Sequence, residues 1–333
     1  MTNDQHVSST NASANAASAD DVSEGNIAVV GGGSIGVAFA VMFAQAGMRV
    51  SIFEPAEERR NAIPQEMRER GELLQNHGLF DGDVDALVER VTTTGRLEEA
   101  VAGAALVQEC IPEKLEMKRS LFSELAQLIS EECVVCSSTS FIPTSKSAAG
   151  TGIEEQTLVA HPGNPPYAIP VIELVPSPAT SPAAVERARA LYGQAGLSPV
   201  VLHKEIEGFL FNRLQGAVLR EAYALVREGV ADVDDIDKVV RDGLGRRWAF
   251  MGPFETVDLN TRGGIAAHAE RMGPSYQRME HDIGDRTPWT EDLVAEVVRQ
   301  RGELLSPGDW EQRVLWRDGQ LLKQKSLNKP LGE

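Results

Sequence analysis

Residues 27–55 read IAVVGGGSIGVAFAVMFAQAGMRVSIFEP, and the order of apolar and glycine residues in this stretch decides the fold of the first half of the chain. An apolar run of strand length ends at Gly31, where the pattern Gly31-x-Gly33-x-x-Gly36 begins. The next segment has the apolar period of a helix and stops at Gly47, a residue type that commonly ends helices. The stretch therefore predicts a strand, a tight glycine turn and a helix in direct succession.

A second short apolar run, Val50 to Phe53, ends in the acid Glu54. Strand, glycine turn, helix, strand and acid in this order are the fingerprint of a dinucleotide-binding unit. Glu54 lies 23 positions after Gly31, where the fingerprint places an acid that binds the adenosine ribose hydroxyls. A carboxylate there repels a 2'-phosphate and favours NAD, although Arg59 and Arg60 follow closely and leave NADP open.

The residues of the glycine turn have separate expected tasks. Gly31 permits the tight turn, Gly33 lets the backbone approach a pyrophosphate, and Gly36 lets helix and sheet pack closely. Together with Ser34 and Ile35, they would bring the phosphates to the helix N-terminus. A glycine-rich turn without a cofactor is the alternative, and the acid in register disfavours it.

The rest of the first half alternates helical patterns with short apolar runs at residues 105–107, 133–136, 158–160, 171–175 and 199–202. This alternation predicts an α/β fold of the Rossmann type, with a parallel sheet and helices on both faces. Cys133 and Cys136 lie an odd number of positions apart on one predicted strand, so their side chains should point to opposite faces. We interpret them as small buried hydrophobes and expect no metal site.

From residue 207 onward the chain shows helical periods and almost no strand signals. We expect a dinucleotide-binding domain over residues 26–204 and an all-helical substrate and dimerisation domain over residues 205–333. The helix predicted from Phe209 to Arg227 is apolar around more than half of its circumference, which indicates burial on several sides. Pairing with a second copy of the chain about a two-fold axis would bury it, and burial within one chain is the alternative.

Composition limits the partners. A formal net charge of -17 disfavours nonspecific binding to nucleic acid or to anionic lipid. No apolar run approaches the length that a bilayer crossing needs, and three cysteines provide no disulfide framework, which fits a cytoplasmic protein. Residues 1–25 are small, polar and acidic without the apolar core of a signal peptide, so we expect a disordered tail.

One histidine and one glutamate stand in the apolar, proline-punctuated segment LVAHPGNPPYAIPVIELVPS at residues 158–177. His161 directly follows a predicted strand and should emerge at the carboxyl end of the sheet, where ligands bind. Glu173 lies within the next predicted strand, where an unpaired carboxylate is costly. The loop PGNPPYAIP carries four prolines in nine residues, and this stiff turn would let Glu173 reach one ring nitrogen of His161.

A histidine held in this way can remove a hydroxyl proton while a hydride leaves the same carbon for a bound nicotinamide. The carboxylate then stabilises the imidazolium ion. A histidine near an apolar strand is more often structural, but here the dinucleotide pattern and the buried acid favour catalysis. The sequence therefore predicts an oxidoreductase with His161 as the general base.

The chain also resembles the 3-hydroxyacyl-CoA dehydrogenase superfamily, and within it the branch of lambda-crystallin, also known as L-gulonate 3-dehydrogenase. The motifs that carry the resemblance are VVGGGSIG, VQECIPEKLEMK, SSTSF, AHPGNPPYAIPVIELVP, EGFLFNRLQ and DGLGRRWAFMGPFET. They run from about Asn26 to the C-terminus. The resemblance implies NAD as cofactor and oxidation of a 3-hydroxy acid to a 3-oxo acid.

By this resemblance, His161 and Glu173 are the catalytic pair. Ser140 matches a serine that touches the substrate oxygen and the nicotinamide side, and Asn212 matches an asparagine near the reacting carbon. The simpler interpretations are that Ser140 is a turn residue and Asn212 a polar position on a helix.

The resemblance implies further cofactor contacts. Asn164 matches an asparagine near the cofactor, and Glu113 and Lys118 match residues at the nicotinamide ribose. Alternatively, Glu113 and Lys118 form a surface helix pair of small energetic worth. Two positions depart from the pattern: Gly163 stands where a larger residue is expected and would widen the pocket, and Ala168 replaces a second tyrosine.

The charge of residues 57–90 bears on the substrate, because this arm has five arginines, no lysine and nine acidic residues. Such a surface repels a polyanion such as coenzyme A, which favours a small free hydroxy acid. The segment GRRWAF offers Arg246 and Arg247 as ligands for the substrate carboxylate. RWAF resembles the family's RYAF, which favours Arg247. The alternative is that one or both arginines form a salt bridge between domains or subunits.

We therefore expect L-gulonate or a similar small hydroxy acid as the substrate. 3-Hydroxyacyl-CoA and L-carnitine share the β-hydroxy carbonyl pattern and compete with it. A noncatalytic, crystallin-like protein that binds NAD is the alternative of another class. The combined presence of Ser140, His161, Glu173 and Asn212 argues against that alternative.

Overall fold

The structure of the protein is a computed structural model, and it describes residues 26–279, 288–304 and 307–327. The tail expected over residues 1–25 lies outside the described residues. In the described part of the chain, no helix combines the length and the apolar character that a membrane crossing requires.

One sheet forms the centre of the first half, and within the described residues it has eight strands in the order β3-β2-β1-β4-β5-β6-β7-β8. They are β1 (Asn26–Val30), β2 (Val50–Phe53), β3 (Val91–Thr94), β4 (Ala104–Glu109), β5 (Val134–Ser137), β6 (Thr157–Pro162), β7 (Val171–Pro176) and β8 (Ser198–Val201). The strand order reverses between β1 and β4, which opens a crevice at the carboxyl ends of these strands. The predicted Rossmann-type fold is confirmed, with β3 as a strand that the apolar runs did not indicate.

Helices cover both faces of this sheet. They are α1 (Ser34–Gln45), α2 (Glu57–Asn76), α3 (Val84–Glu89), α4 (Leu97–Ala100), α5 (Leu115–Leu125), α6 (Thr144–Ser147) and α7 (Pro182–Gln194). Cys133 and Cys136 belong to different buried clusters, so their predicted opposite orientation is confirmed. Burial raises the pKa of both thiols to about 12, which makes them unreactive hydrophobes as expected.

The sheet departs from the predicted parallel arrangement at its far edge. Strands β6 and β7 pair antiparallel, and β7 then pairs parallel with β8. Residues 163–170 connect β6 to β7, which is too short for the crossover that a parallel pair needs, so the two strands form a hairpin. In this register His161 lies directly opposite Glu173.

The second half is helical, as predicted. Its helices are α8 (Phe211–Arg227), α9 (Val233–Lys238), α10 (Gly245–Trp248), α11 (Pro253–Asn260), α12 (Gly264–Met279), α13 (Glu291–Leu304) and α14 (Trp310–Leu327), with a π-helical stretch at Val239–Leu244. Helix α14 returns to the sheet domain, where Leu322 joins the main core and Lys325 Nζ donates to the Tyr167 carbonyl at 2.7 Å.

Helix α8 is not buried on several sides within the single chain. Ala224 is its one buried residue, and Leu214 is 65% exposed. Tyr223 on this helix stacks on Trp289 at 4.2 Å between ring centroids, whereas Leu214, Val218 and Leu219 remain exposed.

Candidate active site

A cavity of about 720 Å³ lies at the carboxyl ends of β1, β2 and β4, where the strand order reverses. Gly31, Gly33, Glu54 and Cys110 are among the residues that line it. Helix α1 begins at Ser34 beside the cavity and carries no acidic residue in its first turn. Its N-terminal N–H groups and dipole therefore favour an anion at this position.

The glycines of this turn differ in what surrounds them. A Cβ on Gly36 would lie 1.9 Å from the Gly31 carbonyl oxygen, whereas a Cβ on Gly33 would meet nothing within 4 Å. Gly31 itself has φ +108°, and a Cβ there would lie 2.7 Å from the Cys110 carbonyl oxygen. Gly31 and Gly36 are thus required by packing, while the space over Gly33 is open to a ligand.

The Glu54 carboxylate accepts hydrogen bonds from the backbone N–H groups of Gly32 and Ala56, each at 3.0 Å. Arg59 Nε donates to the Gly32 carbonyl at 2.5 Å, and Arg60 donates to the Glu54 carbonyl at 2.8 Å. Both guanidinium groups are engaged with the backbone, and the acid remains in the cavity wall.

Sequence reasoning missed a cation at the same turn. Arg70, on α2, donates to the Ser34 carbonyl at 2.9 Å and to Ser34 Oγ at 3.1 Å. It lies 36 positions from Ser34, so no local pattern could have indicated the contact. Ile35 follows Ser34 in the first turn of α1 and is partly buried against the main core.

His161 and Glu173 form a buried pair across the β6–β7 hairpin. His161 is 6% exposed and Glu173 2% exposed, and Nδ1 of the ring lies 2.8 Å from Glu173 Oε2. The other carboxylate oxygen, Oε1, accepts from the backbone N–H groups of Leu210 at 2.7 Å and Phe211 at 3.0 Å. The predicted contact between the two side chains is therefore present, and the two backbone donors were not predicted.

Ser140 faces the opposite nitrogen of the same ring, with its Oγ 3.3 Å from His161 Nε2. Because the Glu173 carboxylate accepts from Nδ1, that nitrogen carries the proton and Nε2 offers a lone pair. The structure thus brings Ser140, His161 and Glu173 together in one row, with the basic nitrogen toward the serine.

Phe209 covers the imidazole, and sequence reasoning missed it. Its ring centroid lies 5.5 Å from that of His161, and the Phe211 ring lies at 6.2 Å. Phe209 has φ +50°, an uncommon value for a bulky residue, and it follows Gly208, which has φ +76°. A strained backbone of this kind is often found beside a functional site.

Glu113 and Lys118 do not form a surface helix pair, so that alternative is wrong. Lys118 is 1% exposed, and its Nζ lies 2.7 Å from Glu109 Oε2 and 3.4 Å from Glu113 Oε2. The Glu113 side chain is 40% exposed, and its Oε1 accepts from Thr139 Oγ1 and from the Ser140 backbone N–H. Glu109, a buried residue at the end of β4, was not singled out from the sequence.

Three further predicted residues are placed without direct contact to His161. Asn212 lies in the first turn of α8, next to Phe211, and is partly buried. Asn164 is exposed on the loop after β6, and its peptide bond to Pro165 is cis. Arg247 is partly buried on α10, and its side chain makes no hydrogen bond or ion pair with the described residues.

The absence of a side chain at Gly163 does not widen the pocket. Gly163 is buried, and a Cβ there would lie 2.3 Å from Ile169 Cγ2. Ile169 therefore fills the space that a larger residue would occupy, and the expected widening is wrong. The neighbouring Ala168 is also buried, at 5% exposure.

A glycine turn open to a phosphate and a buried histidine–carboxylate pair at the carboxyl edge of one sheet are typical of dehydrogenases that use a dinucleotide. The chain belongs to the 3-hydroxyacyl-CoA dehydrogenase family. Residues 26–206 match the family's NAD-binding domain, and residues 208–301 match its C-terminal domain. The cofactor is NAD, which the open space over Gly33 and the acid at Glu54 fit.

Individual relatives support this assignment. The chain is 42% identical over 312 residues to a lambda-crystallin homolog of Bos taurus, covering 92% of this chain and 97% of that one. It is 38% identical over 274 residues to an L-carnitine dehydrogenase of Streptomyces griseus, covering 82% and 78%. Among solved structures, 5-formyl-3-hydroxy-2-methylpyridine 4-carboxylic acid 5-dehydrogenase, an NAD+-dependent dismutase, superposes with a TM-score of 0.78 at 27% identity, covering 91% and 97%.

Two substitutions in the glycine turn should separate packing from cofactor binding. We expect Gly36→Ala to lower the free energy of unfolding by at least about 3 kcal/mol, because its Cβ overlaps a backbone oxygen. Gly33→Ala should leave the melting temperature within about 2 °C, because its Cβ meets no protein atom. It should still weaken NADH binding at least about tenfold, since the methyl group occupies the approach of the pyrophosphate.

Thermal unfolding and NADH fluorescence titration measure the two effects. Equal stability of the two variants, or unchanged NADH affinity in Gly33→Ala, would contradict this assignment of the turn.

Proposed function

We propose that the protein oxidises a small free 3-hydroxy acid, L-gulonate or a close relative, to the 3-oxo acid with NAD. The single observation that carries the proposal is the row formed by Glu173, His161 and Ser140, in which Glu173 fixes the imidazole and Nε2 faces Ser140 Oγ. The similarity to lambda-crystallin proteins over 92% of the chain supports the choice of substrate class.

Each of the three residues in the row has its own role in the proton transfer. Ser140 Oγ, 3.3 Å from Nε2, can hydrogen-bond the substrate hydroxyl and hold it next to the base. His161 Nε2 takes the hydroxyl proton, and the Glu173 carboxylate stabilises the imidazolium that forms. When bound, NAD accepts the hydride that leaves the same carbon.

The arginines of α2 argue against coenzyme A as part of the substrate. Arg59 and Arg70 both pair with Glu66, and Arg68 pairs with Asp85. Residues 57–90 as a whole carry five arginines against nine acidic residues, and this surface repels a polyphosphate. We therefore favour the free acid over the CoA ester.

A turnover panel tests the proposal. NADH formation at alkaline pH would be followed with L-gulonate, L-carnitine, 3-hydroxybutyrate and a 3-hydroxyacyl-CoA. We expect turnover of a free acid, and a loss of about 10² to 10⁴ in kcat for His161→Gln, because the general base is removed.

The control for this panel is His203→Gln, at an exposed histidine outside the site, which should keep full activity. Turnover of the CoA ester alone would overturn the choice of substrate, and full activity in His161→Gln would overturn the role of the base.

We propose that Arg247 binds the substrate carboxylate, because its half-buried guanidinium has no partner among the described residues. A second cation, Lys146, lines a cavity of about 270 Å³ together with Phe141 and Phe209, next to the histidine. It is the competing ligand for the same carboxylate.

Substitutions to methionine should distinguish these cations. We expect Arg247→Met to raise KM for the acid by about tenfold to a hundredfold with kcat within about threefold, because a charge-assisted contact is lost equally in ground and transition states. Arg246→Met, on the same short helix, is the matched control and should leave KM unchanged. If Lys146→Met raises KM and Arg247→Met does not, the carboxylate belongs to Lys146.

We also propose that the protein is a two-fold dimer through α8. Leu214, Val218 and Leu219 are exposed on this helix by 65%, 38% and 39%, and an apolar cavity of about 500 Å³ opens between α8 and α9. An exposed apolar face of this extent marks an interaction surface, and a second copy supplies a self-complementary one.

Sedimentation equilibrium should give a mass of about twice the 36.0 kDa chain. Leu214→Glu should shift the protein toward the monomer, because it buries a charge in the proposed interface. Leu128→Glu, at an exposed leucine in the sheet domain, should leave the dimer intact. A wild-type protein of monomer mass would contradict the proposal.

A further inference from the structure

Helix α2 presents one face to the glycine turn. Arg59, Ile63, Glu66 and Arg70 follow one another at intervals of four, three and four residues, which places them on one side of the helix. Ile63 is fully buried, and a Cβ on Gly32 would lie 2.8 Å from its Cδ1 atom. The helix therefore packs directly against the backbone of the turn.

The two arginines of this face donate to carbonyl oxygens of the turn. Arg59 Nε donates to the Gly32 carbonyl at 2.5 Å. Arg70 donates to the Ser34 carbonyl at 2.9 Å and to Ser34 Oγ at 3.1 Å. Glu66 joins the two, since one of its oxygens lies 2.5 Å from Arg59 Nη2 and the other accepts from Arg70. We call Arg59, Glu66 and Arg70 the α2 clamp.

Peptide geometry links these carbonyl groups to the N–H groups of the turn. In a trans peptide unit, the C=O of one residue and the N–H of the next point in opposite directions. An arginine that holds the Gly32 carbonyl on the side of α2 therefore directs the Gly33 N–H away from α2. In the same way, the contact of Arg70 with the Ser34 carbonyl directs the Ile35 N–H. Side chains from outside the turn thus set the orientation of its amides.

We propose that the α2 clamp positions the glycine turn, so that its N–H groups are aligned for the pyrophosphate of NAD before the cofactor binds. The three side chains are positioning residues, which act on the backbone of the turn and not on the cofactor. Donors that are fixed in advance bind more tightly, because less conformational freedom is lost on binding. The inference depends on NAD as the cofactor and not on the identity of the substrate, so it goes beyond the proposed function.

A direct electrostatic role of the arginines is the competing explanation. The charge of a guanidinium attracts a pyrophosphate whatever hydrogen bonds it makes. Arg70 is 14% exposed at its side chain, and its guanidinium also lies over the Tyr167 ring at 5.8 Å from the centroid. Glu66 orients both arginines and at the same time offsets part of their charge. The two explanations therefore predict opposite effects when Glu66 is removed.

The substitution Glu66→Ala tests the sign of the effect. We expect the Kd for NADH to rise at least about fivefold, because both arginines lose the anion that orients them. An electrostatic role predicts a lower Kd instead, since the substitution removes a negative charge beside the turn. Alanine preserves the helix, so a loss of α2 does not explain a weaker affinity.

Arg68→Met is the matched control on the same helix. Arg68 pairs with Asp85 of α3 and not with the turn. Its substitution removes one ion pair of α2, as Glu66→Ala does, and should leave the NADH Kd within about twofold.

A conservative substitution gives a second test. Arg70→Lys retains the charge, but an ammonium group lacks the planar fork with which the guanidinium binds Ser34 and Glu66 together. We expect Arg70→Lys to raise the NADH Kd at least about fivefold. The double variant Arg70→Lys/Glu66→Ala should bind less than about threefold more weakly than the weaker single variant, because the clamp acts as one unit.

Two further measurements separate a local effect on the turn from a general loss of structure. The Kd for ADP-ribose, which carries the same pyrophosphate, should rise by the same factor as the Kd for NADH. Adenosine, which has no phosphate, should bind within about twofold of its wild-type affinity. Hydrogen exchange should accelerate at the Gly32 amide, which donates to Glu54, and at the Val37 amide, which donates to the Gly33 carbonyl.

An unchanged or lower NADH Kd in Glu66→Ala would overturn the proposal, and so would wild-type affinity in Arg70→Lys. Equal weakening of adenosine and ADP-ribose, or unchanged exchange at the two amides, would also count against positioning of the turn and would overturn it. None of these measurements needs a substrate. They therefore decide this inference even if the protein oxidises none of the acids and the proposed function fails.

Discussion

The site depends on one buried carboxylate. Glu173 is 2% exposed, and a carboxylate removed from water is tolerated only when donors surround it. Three donors do so here: His161 Nδ1 on one oxygen, and the N–H groups of Leu210 and Phe211 on the other. The same side chain therefore fixes the histidine tautomer and anchors the entrance to α8.

This anchoring explains the unusual backbone before α8. The first N–H groups of a helix have no partner within the helix, and Glu173 supplies an acceptor with a negative charge at that end. The positive φ of Phe209 turns its ring onto the imidazole, where it packs with Val159, Val175 and Leu202. The cost of the strained residue is offset by burial of a large aromatic ring and by the contacts of the anchored helix. Because the first residues of the helical half bind Glu173, the helical domain helps to hold the His161–Glu173 pair in place.

The sequence predicted those parts of the fold and site whose determining residues lie close together in the chain. The turn from Gly31 to Gly36 and the acid at Glu54 are adjacent in the chain, so their pattern indicated the nucleotide crevice. The antiparallel hairpin could also have been predicted, because the eight residues between strands β6 and β7 are too few for the crossover that a parallel pair needs. Nothing local marks Glu109 as a buried group, since it follows the apolar run at residues 105–107 and its partner Lys118 lies nine positions away on a helix. Helix α8 left two possibilities open, because a subunit interface and a core have the same apolar pattern in sequence.

Two buried carboxylates lie on strands β4 and β7, and Glu173 on β7 is the one that contacts the imidazole. Each binds one nitrogen-bearing side chain and at least one backbone N–H: Glu109 binds Lys118 and the Ile111 amide, whereas Glu173 binds His161 and the α8 amides. Well-packed apolar residues would stabilise the fold as well as such ionic groups do. They would not orient a loop, because dispersion contacts have no preferred direction and hydrogen bonds do. The 3.3 Å contact between Ser140 Oγ and His161 Nε2 depends on direction of this kind, and the Glu173 carboxylate on β7 supplies it by holding Nδ1 of the ring.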